Sequence, residues 1–222
     1  ANCMWLKGVV MKARYNGLIP RNPFIQFHIS PNVKEREYLT EDELKAVMTH
    51  EFADSKLAYI RDIFIFASFT ALSFVDIQEL TNDNIVEVNG EKWILSKRHK
   101  TKVAFQVKLL DIPLQIVERY RPMQKDNRIF PGLNYWSICK PLKRMIRECG
   151  ITKSISFHCS RHGFATLALS KGMPIESVSR VLGHTNIVTT QLYAKITTQK
   201  LDNDLTMFGD KLSKTFNGIT MS

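Results

Sequence analysis

The sequence has 222 residues, 44% of them hydrophobic and 23% charged, which is the balance of an ordinary globular protein. Its net charge of +10 favours an acidic partner, although a merely soluble basic surface explains the charge alone equally well. The four cysteines have no CxxC or zinc spacing, so we expect reduced thiols in a cytosolic protein rather than disulfides or a metal site. No apolar run reaches the length of a membrane span, which argues against a membrane protein.

The first part of the chain predicts one helix and a linker. Residues 4–16 are typical of the end of a helix, and Gly17 is its stop signal. Three prolines between residues 20 and 31 predict an extended segment between domains.

The central part predicts two helices and a small sheet. The elements are a helix from Thr40 to about Glu51, a buried helix over 55–70, a hairpin over 85–95 and a strand over 103–110. A capping box at Thr40 marks the first helix start, and Asn89-Gly90 marks the hairpin turn. We expect the three strands to form one antiparallel sheet.

The last part of the chain is predicted to be helical throughout. The helices cover 113–120, a segment ending at Glu148, 158–171, 174–182, 186–193 and 197–213. Pro141 predicts that the helix ending at Glu148 starts late or kinks. The fold class is therefore mainly α with a small three-stranded antiparallel β-sheet.

One basic stripe stands out on the helix that ends at Glu148. Spacings of three and four place four side chains on one face: Lys140, Lys143, Arg144 and Arg147. This pattern favours contact with phosphates, and a solvated helix face remains the alternative.

Three short motifs bring together the groups needed for phosphoryl transfer. His158 and Arg161 are three residues apart and share a helix face, Leu182-Gly-His184 follows, and Tyr193 comes nine residues later. An Arg holds a phosphate oxygen with a permanently charged fork, a His donates or moves a proton near neutral pH, and a Tyr attacks phosphorus.

This order and spacing resemble the catalytic half of a tyrosine recombinase of the phage integrase family, over roughly residues 35–200. The resemblance implies the tyrosine recombinase catalytic-domain fold and a site-specific DNA recombinase, the integrase of a mobile or conjugative element. It divides the chain into the end of a truncated core-binding domain (1–19), a linker (20–35), a catalytic domain (36–196) and a C-terminal helix and tail (197–222).

The resemblance also implies a role for each motif residue. Arg161, His158 and His184 would hold the scissile phosphate, and His158 can also take the proton of Tyr193, the nucleophile. Lys100, in a Lys-Thr pair between the second and third strands, matches the general acid of the family, with a solvated basic turn as its alternative. Lys97 and Lys102 beside it are expected to bind DNA.

Ser73 is the clearest departure from the family pattern. The segment Thr70–Leu80 is similar to T-G-L-R-x-S-E-L, and Ser73 stands where a second phosphate-binding Arg belongs, as in some integrases of conjugative elements. Ser73 is equally well explained as a helix N-cap. Arg98, on the same strand side as Lys100, is the candidate to supply the missing charge, and Asp76 is expected to support the site.

Two other functions remain open from the sequence. One is a type IB topoisomerase-like enzyme, and the other is a DNA-binding relative with impaired catalysis, which Ser73 favours. For the recombinase we expect no cofactor or metal. Its partners would be double-stranded DNA, other protomers in a synaptic complex and host DNA-bending factors, in the cytoplasm at the nucleoid.

Overall fold

The structure is a computed structural model that describes residues 2–25, 37–99, 102–124, 126–194 and 198–215. The chain divides into two compact units, Ala1–Glu35 and Arg36–Ser222. The first unit contains helix α1 (Asn2–Tyr15), and Gly17 follows it in the left-handed conformation, so the predicted helix stop is confirmed. Throughout the described ranges, every helix is too short or too polar to span a membrane.

The second unit is mostly helical and contains one small sheet. Its helices are α2 (Glu41–Thr49), α3 (Ser55–Thr70), α4 (Phe74–Gln78), α5 (Asp111–Tyr120), α6 (Tyr135–Glu148), α7 (His158–Ser170), α8 (Ile175–Leu182), α9 (Val188–Gln191) and α10 (Thr198–Thr215). Its strands are β1 (Ile85–Val88), β2 (Glu91–Lys97) and β3 (Ala104–Lys108). The predicted fold class, mainly α with a three-stranded antiparallel sheet, is confirmed.

Helix α3 forms the centre of the core. It is buried along most of its length, as its apolar sequence predicted, and α2, α5, α6 and α7 pack against it. Asp62 on α3 accepts hydrogen bonds from Arg119 Nη1 and from the Tyr120 hydroxyl, both at 2.7 Å. A buried carboxylate needs hydrogen-bond or charged partners, and both of these partners of Asp62 come from α5. The contacts therefore attach α5 to α3.

The sheet has the order β1-β2-β3. Asn89 and Gly90 both have positive φ, at 54° and 77°, as the tight turn predicted from this pair requires. Strand β2 extends two residues beyond the predicted end of the hairpin, because Ser96 pairs with Phe105 and Lys97 pairs with Ala104 on β3. Arg98 therefore begins the loop between β2 and β3, where it was expected, and the strand alternation used to place it on the same side as Lys100 does not apply in a loop.

Three helix predictions are corrected by the structure. Helix α5 begins at Asp111 rather than Pro113, which is tolerated because N–H groups in the first turn have no intrahelical partner. Helix α6 begins at Tyr135, directly after its cap Asn134, and includes Pro141, so it does not start late. Helix α9 ends at Gln191, and Tyr193 lies in the turn after it rather than on the helix.

Candidate active site

The site begins where α3 passes into α4. The Ser73 hydroxyl accepts a hydrogen bond from the Asp76 N–H at 3.4 Å and donates one to Asp76 Oδ2 at 2.7 Å. The Ser73 N–H also donates to Asp76 Oδ2, at 3.2 Å, which completes a capping box. The interpretation of Ser73 as a helix N-cap is therefore confirmed.

Arg98 is buried directly beside this cap. Its Nη1 donates to Asp76 Oδ2 at 2.8 Å, and the N–H of the next residue, His99, donates to Asp76 Oδ1 at 3.1 Å. The guanidinium group lies over the ring of Phe105, 4.0 Å from its centre, and the residue is only 5% exposed. Asp76 thus contacts both Ser73 and Arg98, which places a positive charge next to the Ser73 position.

Arg161 on α7 is the second buried guanidinium. Its Nη1 donates to the carbonyl of Ala71 at 2.8 Å, and its Nη2 donates to the carbonyl of Leu182. Arg98 Nη2 donates to the preceding carbonyl, that of Val181, at 2.5 Å. The C-terminal end of α8, where the helix dipole is negative, therefore holds both arginine side chains through consecutive carbonyls.

Burial affects the charges of all three groups. Burial, followed by the charge of Arg98, lowers the pKa of Arg161 to about 10, which leaves Arg161 charged at neutral pH. Burial also lowers the pKa of Arg98, while Asp76 opposes that shift. Burial alone would raise the pKa of Asp76, but hydrogen bonds from His99, Ser73 and Arg98, together with the charge of Arg98, keep it below its usual value. Two cations and one anion are thus collected in this cluster.

Gly183 makes room for Arg98, a role that sequence reasoning did not identify. Its φ of 63° ends α8 in the left-handed conformation, as expected for a helix stop. A Cβ at this position would also lie 2.9 Å from Arg98 Nε and 3.0 Å from its Cγ. A side chain at this position would therefore strain the backbone and displace Arg98, and only the first of these effects has a signal in the sequence.

His184 follows Gly183 and is a neutral imidazole near pH 7. Burial first, and then the charges of Arg161, Arg98 and His158, lower its pKa to about 4. Its Nδ1 lies 2.9 Å from the hydroxyl oxygen of Thr190. In this state His184 can donate one hydrogen bond and accept one, but it carries no charge.

Tyr193 lies close to the histidines of α7. The rings of His162 and Tyr193 have centres 5.1 Å apart, and those of His158 and His162 have centres 4.6 Å apart. His158 is exposed, His162 is buried and Tyr193 is half-buried, so the tyrosine and His158 lie at the protein surface. The structure therefore brings together the predicted residues Arg161, His158, His184 and Tyr193 with Arg98, the sequence candidate for the missing charge.

The backbone of Arg98 joins the two ends of the loop between β2 and β3. The Arg98 N–H donates to the Val103 carbonyl, and the Lys102 N–H donates to the Arg98 carbonyl, each at 2.8 Å. Lys97 and Lys102 are exposed on the two sides of this turn. Lys100, the predicted general acid, lies outside the described residues, so its role stays a prediction.

The basic stripe of α6 is exposed to solvent. Lys140, Lys143, Arg144 and Arg147 line one shallow depression. Arg144 also binds Glu148 at 2.8 Å and Asp54 at 3.2 Å, which leaves it partly neutralised. Trp136, one turn before Lys140, is 82% exposed and was not singled out from the sequence.

No three His, Cys, Asp or Glu side chains lie together as metal ligands in the part of the chain that the structure describes. The predicted absence of a metal is not tested by this observation.

Residues 37–200 match the Phage integrase family, and the chain belongs to that family. Tyrosine recombinase XerA of Pyrococcus horikoshii is 32% identical over 177 residues, which are 73% of this chain and 58% of the relative. Tyrosine recombinase XerD of Listeria innocua is 26% identical over 204 residues, which are 84% of this chain and 67% of that protein. The chain thus spans between about half and two thirds of these relatives' length.

Solved structures define the fold. The Tn1549 transposon integrase in complex with a circular intermediate DNA has a TM-score of 0.76 at 18% identity, covering 91% of this chain and 76% of that one. A lambda integrase dimer bound to a COC' core site has a TM-score of 0.67 at 18% identity, covering 85% and 56%. The fold is that of a tyrosine recombinase catalytic domain, as predicted.

Proposed function

We propose that this chain is the catalytic part of a site-specific DNA recombinase, an integrase that cuts and rejoins DNA through a 3′-phosphotyrosine. The observation that carries the proposal is the pair of buried guanidinium groups, Arg98 and Arg161, held side by side next to His184 and Tyr193. Fixed cations of this kind stabilise the charge that develops on a phosphate during displacement.

The proposed reaction is a transesterification. The Tyr193 hydroxyl oxygen attacks the phosphorus, its proton passes to His158, and the bond from phosphorus to the 5′ oxygen breaks. Lys100 gives a proton to the departing 5′ oxygen. His184 donates to a non-bridging oxygen. A free 5′ hydroxyl then attacks the phosphotyrosine and releases Tyr193, so the ester bond is exchanged twice and no ATP is consumed.

Arg98 supports a catalytic function over an impaired, merely DNA-binding one. The absence of an Arg at position 73 was the feature that favoured the impaired relative. Asp76 joins Ser73 and Arg98 within 2.8 Å on each side, so a guanidinium is present near that position although the residue there is Ser.

The experiment for this function is covalent trapping. The chain is incubated with a pool of nicked duplexes whose sequence is randomised around the cleavage position. Because each duplex carries a nick next to that position, the short strand segment released by cleavage diffuses away, and resealing is blocked. We expect a protein–DNA adduct that survives denaturation. The complete absence of an adduct, with DNA binding retained, would favour the impaired relative. Relaxation of supercoiled DNA without strand exchange would indicate a topoisomerase-like enzyme.

A double-mutant cycle tests the role of Arg98. Arg98→Ala is expected to reduce single-turnover cleavage by about 100-fold, the scale of one lost charged contact in the transition state. Ser73→Arg in that background should restore much of the loss, because the new guanidinium would start from the same cap beside Asp76. The measurement is the rate of adduct formation in the parent, both single variants and the double variant.

The control for this cycle concerns Asp76. Arg98→Ala leaves the Asp76 carboxylate buried without its cationic partner, which by itself destabilises the fold. The variant Arg98→Ala with Asp76→Asn removes that unpaired charge, and thermal unfolding of each variant separates stability from catalysis. Independent effects of Ser73→Arg and Arg98→Ala, or a harmless Arg98→Ala, would disprove the hypothesis.

We propose double-stranded DNA and further protomers as partners. The Tn1549 and lambda integrases were solved with DNA, and the latter as a dimer. Helix α10 has an apolar stripe spaced by four and three residues, Leu201, Leu205 and Phe208, and each is at least half exposed. Another protomer would cover it. We also propose that host DNA-bending factors are partners and that the protein acts at the nucleoid.

The basic stripe is expected to bind DNA phosphates. The triple variant Lys140→Gln, Lys143→Gln, Arg147→Gln should reduce the slope of log affinity against log salt by roughly 2 to 3, since each lost phosphate contact contributes about 0.9. Arg144→Gln is compared with the single variant Lys143→Gln: one lost phosphate contact lowers the slope by about 0.9, and the pairing of Arg144 with Glu148 and Asp54 predicts a smaller change than that. The readout is fluorescence anisotropy with a random duplex over a salt series, and an unchanged slope would indicate a merely solvated face.

A further inference from the structure

Thr190 lies between His184 and Tyr193 and has no role in the reaction proposed above. It is completely buried on α9. Its hydroxyl oxygen is 2.9 Å from His184 Nδ1, and its carbonyl accepts the N–H of Tyr193 at 3.0 Å. One residue therefore contacts both the histidine expected to bind the phosphate and the turn that carries the nucleophile.

The state of His184 decides the direction of the hydrogen bond to Thr190. A neutral imidazole has one N–H and one bare nitrogen. For His184 to donate to a phosphate oxygen through Nε2, the bare nitrogen must be Nδ1. Nδ1 then accepts, and the Thr190 hydroxyl is the donor. The opposite arrangement would present a bare Nε2 to a phosphate oxygen, and two acceptors repel each other.

We propose that Thr190 is a positioning residue, whose hydroxyl donates to His184 Nδ1 and so keeps the histidine proton on Nε2, while its backbone holds the Tyr193 turn. This inference rests on the proposed function of the site. A hydrogen-bond partner behind a functional histidine fixes both its tautomer and its ring orientation. Thr190 would thereby set the imidazole and the tyrosine in one geometry relative to the phosphate.

The packing of Thr190 supports a hydroxyl-specific role. Thr190 is fully buried, so its hydroxyl is shielded from bulk solvent and lies within hydrogen-bond distance of Nδ1. The Thr190 N–H donates to the Ile187 carbonyl at 2.7 Å, which ties the residue into the helix through its backbone. A valine at this position keeps the shape and those backbone bonds and removes only the hydroxyl donor.

The test compares Thr190→Val with Thr190→Ser. Thr190→Val is expected to slow single-turnover cleavage of the trapped nicked duplexes by about 10- to 100-fold, the range for losing such a supporting hydrogen bond. DNA affinity should stay at the parental level. Thr190→Ser keeps the hydroxyl and should recover most of the rate. Parental cleavage by Thr190→Val, or equal losses in both variants, would overturn the proposal.

A second measurement reports the tautomer without any reaction. In the free protein labelled with nitrogen-15, His184 should show a bare Nδ1 and a protonated Nε2 at pH 7, and Thr190→Val should disturb this ratio. A protonated Nδ1 in the parent would overturn the proposal. This readout needs no DNA, so it tests the role of Thr190 independently of the proposed recombinase function. Failure of the recombinase function would instead appear as a parent protein that forms no adduct.

Discussion

Tyr193→Phe is expected to bind DNA with parental affinity and to form no covalent adduct. The substitution removes only the attacking oxygen, which the proposed mechanism cannot replace. The aromatic ring is retained, so its packing beside His162, with ring centres 5.1 Å apart, should persist. The measurement is denaturing electrophoresis of nicked duplex incubated with parent or variant.

A second tyrosine provides the matched control for this experiment. Tyr135→Phe removes a hydroxyl from the first residue of α6, where the ring packs against Phe74 at 5.4 Å. This variant should form adduct at the parental rate, since the observed ring contacts of Tyr135 are with Phe74 and Trp136, and the proposed mechanism gives Tyr135 no role. Adduct formation by Tyr193→Phe at the parental level would show that another group is the nucleophile.

Arg161→Ala should reduce cleavage by roughly two or more powers of ten. The side chain is 9% exposed and keeps its charge at neutral pH, because burial lowers its pKa only to about 10. Its loss removes a fixed cation from the phosphate site, and it also leaves the carbonyls of Ala71 and Leu182 without their donor. Single-turnover adduct formation measures the catalytic part of this effect.

Arg161→Lys separates charge from geometry. A lysine retains the positive charge but lacks the planar fork that contacts both carbonyls, so we expect a partial loss of cleavage. Thermal unfolding of both variants shows how much of the effect comes from stability. Parental cleavage by a folded Arg161→Ala would mean that Arg161 has only a structural role.

Much of the local structure was predictable, because it depends on neighbours in the sequence. The capping box at Thr40 and the turn at Asn89-Gly90 are formed as their patterns indicated. The spacing of His158 and Arg161 placed both on α7, and Gly183 ended α8. In each case a hydrogen bond or a backbone conformation within a few residues decides the outcome.

The composition of the site depended on contacts between distant segments. Arg98 was a candidate because of strand alternation, yet it lies past the strand end, and Asp76, 22 residues away in sequence, is its partner. Arg161 binds the carbonyl of Ala71 across 90 residues. No spacing rule predicts such pairs, since they exist only after α3, α7 and α8 have packed.

The electrostatic state of the site was also decided by tertiary structure. The sequence by itself determined which groups are present: a tyrosine, two histidines, two arginines and the serine at position 73. Only folding partly buried His184 beside Arg161 and Arg98, which lowers its pKa to about 4, and placed the Thr190 hydroxyl against its ring. The physical reason is that desolvation and charge–charge interaction depend on the medium and the distance between groups, and packing alone sets both.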